Sequence, residues 1–208
     1  MSSRRDQTRL NILDAALKLF VDKGYYGVGM EEVARAAGIS RQALYLHFKS
    51  KSELVVTMAQ YSDELINVPE FIRQGMEAAT AVEALNLGVE AYGVIEPQIY
   101  DAMRVVYSAR KSDEAVEAVW QDRMAYRRAN VRRLMERLEE EGSLAEGWSV
   151  DEATDFAWGV LSLHTYENLV LERGWTIEQF VGRVGVMLRS VLIADGQKPK
   201  GRTVGFPE

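Results

Sequence analysis

The chain has 208 residues, no cysteine, 27% charged residues and a formal net charge of −6. Disulfide bonds and a cysteine nucleophile are therefore excluded. No apolar run is long enough for a membrane span or a signal sequence, so we expect a cytoplasmic protein without a membrane partner.

The charge is unevenly distributed along the chain. Residues 1–60 carry nine Lys or Arg and six Asp or Glu, a net charge of +3, which leaves −9 for residues 61–208. Because a basic segment on an acidic body is attracted to a polyanion by one end only, this pattern favours DNA binding through the amino-terminal segment.

The first predicted elements are three helices in the first fifty residues. An amphipathic helix runs from Gln7 to about Lys23 and ends at Gly24. A short helix from Met30 to Ala37 follows and stops at Gly38, and a second short helix from Arg41 to about Phe48 is capped by Ser40. Two short helices joined by a tight turn predict a helix-turn-helix unit, which inserts its second helix into the DNA major groove.

The second helix of this unit has an inward face, with Leu44 and Phe48, and an outward face that suits DNA. Arg41 and Gln42, at its amino-terminal end, suit guanine and adenine edges, whereas the phenol, imidazole and ammonium groups that follow suit phosphate. The predicted DNA-binding residues are Ser40, Arg41, Gln42, Ala43, Tyr45, Leu46, His47, Lys49 and Lys51.

The rest of the chain shows helical periodicity and no strand-like alternation, which predicts an all-α fold of about nine helices. Capping residues and breakers predict helices at Lys51 to Asn67, Thr80 to Glu96, Pro97 to Lys111, Ser112 to Glu141, Ser149 to Arg173 and Thr176 to Ala194. The expected organisation is a DNA-binding domain at 1–50, a ligand-binding and dimerisation domain at 51–195, and a disordered tail at 196–208.

The last two predicted helices are apolar on more sides than one core contact explains, and Gly182 and Gly185 permit close approach of another backbone. We expect two such helices from each of two subunits to form a four-helix interface, the alternative being a buried hairpin in a monomer. The predicted interface residues are Phe156, Val160, Leu163, Phe180, Val181, Val184 and Leu188.

The middle of the chain carries a mixture of aromatic, thioether and polar groups that is typical of an apolar small-molecule pocket. The candidate ligand-binding residues are Tyr100, Met103, Arg104, Tyr107, Trp120, Met124, Trp158 and His164. The same composition is also typical of an ordinary helical core, and for His164 a hydrogen-bonded core position is the favoured interpretation.

Other chemistry has little support in this sequence. Two histidines far apart, with no cysteine, predict no zinc site, and no pattern indicates a cofactor. A small helical enzyme and an all-α protein-interaction module remain as alternatives, although neither has a signature here.

Three segments carry a resemblance to a known family: ILDAALKLF from Ile12, VARAAGIS from Val33 and ALYLHFKSKSEL from Ala43. They resemble the TetR family of transcriptional regulators, of the TetR/AcrR type. The resemblance implies a homodimeric repressor, not an enzyme, that binds a palindromic operator in double-stranded DNA and responds to a small, largely apolar or aromatic effector. It implies base contacts by Arg41, Gln42, Ala43 and Tyr45, and phosphate contacts by Tyr45, His47 and Lys51.

The sequence departs from the family pattern at the start of the first motif helix. Members usually have a Thr pair there, whereas this chain has Gly29 and Met30. A hydroxyl contact to phosphate is therefore lost, and we expect this anchor to be weaker or to be replaced by Tyr25 or Tyr26.

Overall fold

The computed structural model describes residues 4–197, without the side chains of residues 4, 63–65 and 197, and every regular element in that range is helical. The helices are α1 (Arg4–Gly27), α2 (Met30–Ala36), α3 (Arg41–His47), α4 (Lys51–Ile66), α5 (Val68–Glu77), α6 (Ala81–Ala109), α7 (Glu114–Glu140), α8 (Val150–Val160), α9 (Leu163–Tyr166) and α10 (Ile177–Leu192). Short 3₁₀ turns at Arg110–Ser112 and Asp195–Gln197 and a π-helical turn at Glu167–Glu172 complete this part of the chain. The all-α prediction is confirmed. The described helices include none with the length and apolarity needed to cross a bilayer.

Helix α1 continues past its predicted end. Gly24 adopts φ 73° and ψ 160°, which kinks the chain, and a further helical turn carries it to Gly27. The predicted apolar face is confirmed, because Ile12, Leu13 and Phe20 are buried. The extra turn places Tyr25 and Tyr26 beside other helices.

Two prolines behave differently from the sequence-based prediction. Pro69 lies in the first turn of α5, a helix that was not predicted, where a missing N–H costs no helical hydrogen bond. Pro97 was expected to separate two helices, but α6 continues through it. Proline removes one backbone hydrogen bond from the helix. The burial of side chains after Pro97, among them Ile99 and Met103, compensates for this loss, so α6 stays continuous.

The helix predicted from Ser149 to Arg173 is divided. Its capping box is confirmed, since the Ser149 hydroxyl accepts from the Glu152 N–H, but α8 ends at Val160 and Leu161 leaves helical geometry. The Ser162 hydroxyl accepts from the Thr165 N–H and starts α9, which passes into the π-helical turn. The capping box of Thr176 and Gln179 at the start of α10 is also confirmed.

The described chain forms two compact units. Unit 1 contains residues up to 68 together with residues 95–125, and unit 2 contains residues 69–94 together with the chain from residue 126. Ile12, Leu44 and Phe48 are fully buried in unit 1, and Phe180 and Leu188 are fully buried in unit 2. The proposed boundary at residue 50 stays a prediction, and the predicted disorder after residue 197 lies outside the described residues.

Within unit 2, α6 and α10 approach closely at Gly93. A Cβ atom added to Gly93 would lie 2.3 Å from Cγ2 of Val181 and 3.3 Å from Cγ2 of Ile177. Gly185 faces Val89 of α6, with an added Cβ 3.7 Å from its Cγ1 atom. Gly185 therefore serves packing within the chain, whereas Gly182 is exposed with open space around it.

Candidate nucleic-acid interface

The turn between α2 and α3 has the local geometry that the sequence predicts. Gly38 adopts a positive φ of 69°, and the Ile39 N–H donates to the Ala34 carbonyl at 3.0 Å. The Ser40 hydroxyl then accepts from the Ala43 N–H at 3.1 Å and starts α3. With Leu44 fully buried, the inward face of the second helix is fixed against the domain.

The opposite face of α3 is open to solvent. Arg41, Gln42, Tyr45 and Leu46 are exposed, and Leu46 retains 78% of its accessible surface. Arg41 lies 4.0 Å from the Glu31 carboxylate at a well-exposed position, where such a pair is weak and leaves the guanidinium available. This arrangement gives the helix a surface that can contact base edges.

The other predicted DNA-binding residues fall into two groups. Ser40 and Lys49 are exposed beside α3, whereas Ala43 and His47 are half-buried. Lys51 differs from all of them: its ammonium donates to the Tyr25 carbonyl and lies 4.0 Å from the Tyr25 ring centroid. Burial lowers the pKa of Lys51. The ammonium of Lys51 is therefore engaged inside the domain, and its phosphate contact stays a prediction.

Arg9 is a residue of this site that the sequence analysis missed. Its Nη1 donates to the His47 carbonyl at the end of α3 at 2.8 Å, and its Nη2 donates to Oγ1 of Thr57 in α4 at 3.2 Å. The guanidinium carbon lies 4.2 Å from the Phe48 ring centroid. Arg9, which belongs to α1, therefore holds the end of α3, the candidate recognition helix, against α1 and α4. No local pattern distinguishes it from any polar residue at the edge of an amphipathic helix.

Neither tyrosine expected to replace the missing phosphate contact has an uncommitted hydroxyl. Tyr25 is buried, and its hydroxyl donates to Oδ2 of Asp113 at 3.4 Å. Burial, followed by the charge of Asp113, raises the pKa of Tyr25. The Tyr26 hydroxyl bonds to the Ser112 hydroxyl at 2.6 Å. Both side chains join the amino-terminal helices to the start of α7, which corrects the expectation.

The candidate ligand-binding residues of unit 1 are not equivalent. Tyr100 and Met103 are buried, Arg104 is exposed, and Met124 is half-buried.

Tyr107 and Trp120 form an edge-to-face pair with ring centroids 5.2 Å apart. The Arg110 guanidinium covers this pair, with its carbon 3.5 Å from the Tyr107 centroid. The pair is therefore already in contact with a cation of its own chain.

In unit 2, the candidates Trp158 and His164 are separated by the break after α8. Trp158 is half-buried, and its carbonyl accepts from Nη2 of Arg127 at 3.2 Å. His164 is exposed, with Nδ1 3.9 Å from a Glu167 carboxylate oxygen. The interpretation of His164 as a core residue is wrong, because α9 turns its side chain to solvent.

The candidate dimer residues are divided by burial. Phe180, Val184 and Leu188 are buried within one chain, as is Leu163, whereas Phe156, Val160 and Val181 are half-buried. Phe180 contacts the rings of Tyr92 and Tyr166 at 5.7 and 6.3 Å between centroids. The four buried side chains are therefore core residues, which corrects their assignment. The exposed apolar side chains of this region are Leu171, Val186 and Met187.

Residues 4–197, apart from the undescribed side chains of residues 4, 63–65 and 197, contain no cluster of three or more side chains suited to a metal ion. What they do contain is a helix-turn-helix whose second helix is exposed on an all-α chain, the architecture of a class of DNA-binding regulators.

Residues 12–58, about a quarter of the chain, match the model of the bacterial regulatory proteins of the tetR family. The resemblance found in the sequence is thereby confirmed.

Two named relatives match the amino-terminal part of the chain. The transcriptional activator FasR of Mycolicibacterium smegmatis is 40% identical over 90 residues, which cover 42% of this chain and 40% of FasR. The transcriptional regulator AcrR of Shigella flexneri is 43% identical over 60 residues, which cover 29% of this chain and 28% of AcrR. Both are named as regulators of transcription and not as enzymes. The chain thus matches well under half the length of either relative.

Solved structures extend the similarity of fold to most of the chain. A transcriptional regulator from Saccharomonospora viridis in complex with choline superposes with a TM-score of 0.75 at 16% identity, covering 90% of this chain and 98% of that one. FadR from Bacillus subtilis in complex with stearoyl-CoA gives 0.67 at 18% identity, covering 87% and 97%. The TM-scores of these two superpositions show a shared fold.

Proposed function

We propose that the protein is a homodimeric transcriptional repressor that binds a palindromic operator through α3 and responds to a small-molecule effector. The observation that supports this most directly is the exposed face of Arg41, Gln42, Tyr45 and Leu46 on a helix whose other face is buried. Its place of action is the cytoplasm, where bacterial DNA is accessible. Repression is the proposed direction because blocking a promoter requires only DNA occupancy, whereas activation requires a further surface for the polymerase.

The proposal of a dimer follows from geometry and from exposed apolar surface. Half-sites about 34 Å apart, one DNA turn, need two recognition helices held in a fixed relation. On α10, Val186 and Met187 are exposed, and Gly182 leaves room for a close helix contact. We assign the subunit contact to this face together with Leu171 of the π-helical turn.

The proposal of an effector rests on similarity of fold and on composition. Solved structures of the same fold hold choline in one case and stearoyl-CoA in another. Of the candidate residues in this chain, Tyr100 and Met103 are buried, and Tyr107 and Trp120 form an aromatic pair. We therefore propose a largely apolar or aromatic effector that alters operator affinity.

A binding selection from genomic fragments of the source organism, read by sequencing, tests the DNA-binding function. We expect enrichment of a short inverted repeat whose affinity exceeds that for unrelated DNA by about a thousandfold or more. Equal recovery of all fragments, with an affinity explained by charge alone, would refute the assignment and favour an interaction module. Derepression of a reporter on deletion of the gene tests the sign of regulation.

On the selected duplex, Gln42→Ala and Lys49→Ala should have different effects. Gln42 is exposed at the amino-terminal end of α3, so its loss should relax base preference at one position per half-site. Lys49 is an exposed charge, so its loss should weaken binding to all sequences and lower the salt slope by about 1. Arg133→Ala, which removes an exposed charge from α7, is the matched control and should change neither. If Gln42→Ala and Lys49→Ala had the same effect, the assignment of a base contact to Gln42 and a phosphate contact to Lys49 would be wrong.

A further inference from the structure

Asp113 connects the start of α7 to two helices of the amino-terminal segment, and its two carboxylate oxygens have separate partners. Oδ1 accepts from the N–H groups of Ala115 and Val116, at 3.2 and 3.3 Å, and caps α7. Oδ2 accepts from the hydroxyl of Ser52 and, at 3.4 Å, from the hydroxyl of Tyr25. One oxygen therefore stabilises its own helix, while the other bonds to residues 61 and 88 positions away.

The two distant partners, Tyr25 and Ser52, lie at the ends of α1 and α4, two helices of the same compact unit as the recognition helix α3. Ser52 is in the first turn of α4, which begins four residues after the end of α3. Tyr25 lies in the last turn of α1, and its carbonyl accepts from Lys51 in the same first turn of α4. Because α1 packs against α2 and α4, and α2 packs against α3, these contacts bear on the orientation of α3.

The hydrogen bonds to Asp113 favour its ionised form. Burial by itself raises the pKa of Asp113. Hydrogen bonds from Ser52, Val116, Tyr25 and Ala115 lower the pKa by more than burial raises it, so the pKa lies below its usual value. The carboxylate is therefore ionised at neutral pH, and its hydrogen bonds are charge-assisted. The contact with Tyr25, at 3.4 Å, is long and is the weaker of the two at Oδ2. A second link, between the Tyr26 and Ser112 hydroxyls, lies on the same side.

We infer that Asp113 is a positioning residue for DNA reading, which fixes the recognition helix by holding Ser52 and Tyr25 through Oδ2. The inference rests on the proposed DNA-binding function but concerns a residue far outside the family-matched segment of 12–58. Its consequence is that the start of α7, which belongs to unit 1 together with α3, determines how precisely α3 is oriented.

Asp113→Ser separates positioning from capping. Serine is a good helix cap, so the bonds to the α7 amides are retained, but it lacks the second oxygen. The chain has no cysteine, so two introduced cysteines, Leu46→Cys on α3 and Ala118→Cys on α7, take spin labels at exposed sites. We expect the distance distribution between the labels to broaden or shift in Asp113→Ser and to be unchanged in Glu114→Ser. Glu114 is the matched control because it is an exposed acid in the same helical turn.

On the selected duplex, Asp113→Ser should lose specific affinity on the order of tenfold, equivalent to about 1.4 kcal/mol. Affinity for unrelated DNA should be unchanged, because the exposed charges remain in place. A residue with a merely structural role would change the melting temperature without changing the ratio of specific to non-specific affinity below it.

Single-hydroxyl variants keep the inference testable if Asp113→Ser folds poorly. Ser52→Ala and Tyr25→Phe each remove one donor to Oδ2, and Tyr25→Phe retains the ring against which Lys51 packs. Each should reproduce the broadening in part, whereas Ser62→Ala, whose hydroxyl bonds to its own helix at Met58, should not. Unchanged distances and unchanged specificity in these variants overturn the inference. Failure of the wild-type chain to select any DNA refutes the proposed function instead, while the label distances still test the positioning.

Discussion

Lys49 and Lys51 stand two residues apart after the recognition helix, but their surroundings assign them different roles. The side chain of Lys49 is exposed, whereas the ammonium of Lys51 donates to the Tyr25 carbonyl and packs on its ring. At the level of the single residue, a lysine whose ammonium bonds inside its own domain, such as Lys51, is therefore a weaker candidate for phosphate contact than an exposed one, such as Lys49. The same criterion applies to Arg9, whose charge is used within the domain.

Arg9→Ala should lower the free energy of unfolding by about 1–3 kcal/mol, because it removes hydrogen bonds to His47 and Thr57 and the stacking on Phe48. Arg9→Lys should recover little of this loss, since one ammonium cannot replace a planar group that spans two acceptors. Urea denaturation measures both. Arg5→Ala, at an exposed position of the same helix, is the control. Full recovery by lysine would show that only the charge matters.

Helix α6 shows how tertiary packing decides the form of an element. Local rules predicted a break at Pro97, but the helix runs from Ala81 to Ala109 without interruption. Its glycines also differ in their surroundings. A Cβ added at Gly93 would lie 2.3 Å from Val181, whereas at Gly88 no atom lies within 4 Å. Helix propensity is the same for both positions, so only the neighbouring helix distinguishes them.

Gly93→Ala should therefore destabilise the protein by about 1–3 kcal/mol, because α6 and α10 must separate or Val181 must move. Gly88→Ala is the matched control and should stabilise it by about 0.5–1 kcal/mol, since alanine is the better helix former and meets no neighbour. Chemical denaturation of both variants gives the comparison. Equal changes would mean that the close approach of α6 and α10 is absent in solution.

For the molecule as a whole, the distribution of charge indicates which part attracts DNA, and the exposed apolar surface indicates where a second subunit would bind. Residues 1–60 carry a net charge of +3 and the rest −9, so attraction to DNA concentrates at the helix-turn-helix. The apolar groups left exposed in the last part of the chain, Leu171, Val186 and Met187, lie where we propose the second subunit.

Val186→Glu should convert the proposed dimer into a monomer with unchanged helical content, because it places a charge in an apolar contact. Sedimentation velocity measures the mass, and circular dichroism measures the helix content. Met76→Glu, at an exposed apolar position of α5, is the control and should leave the dimer intact. If Met76→Glu dissociates the protein and Val186→Glu does not, the subunit contact lies elsewhere.

The helical class, the helix-turn-helix, its inward Leu44 and Phe48, and the helix caps at Ser40, Thr80, Ser149 and Thr176 could all be predicted from the sequence. These features depend on interactions within a few residues, namely side-chain periodicity, cap hydrogen bonds and the positive φ of Gly38, and local interactions can be recognised in a linear pattern.

Helix packing, and no local pattern, sets the partners of Arg9, Lys51 and Asp113, the burial of Phe180 and the exposure of His164. Each of these depends on side chains brought together from distant positions, as when Asp113 bonds to Tyr25 across 88 residues. A linear pattern shows that such a residue is polar or apolar. The pattern does not show which distant atom bonds to or packs against that residue, because the packing of whole helices determines the partner.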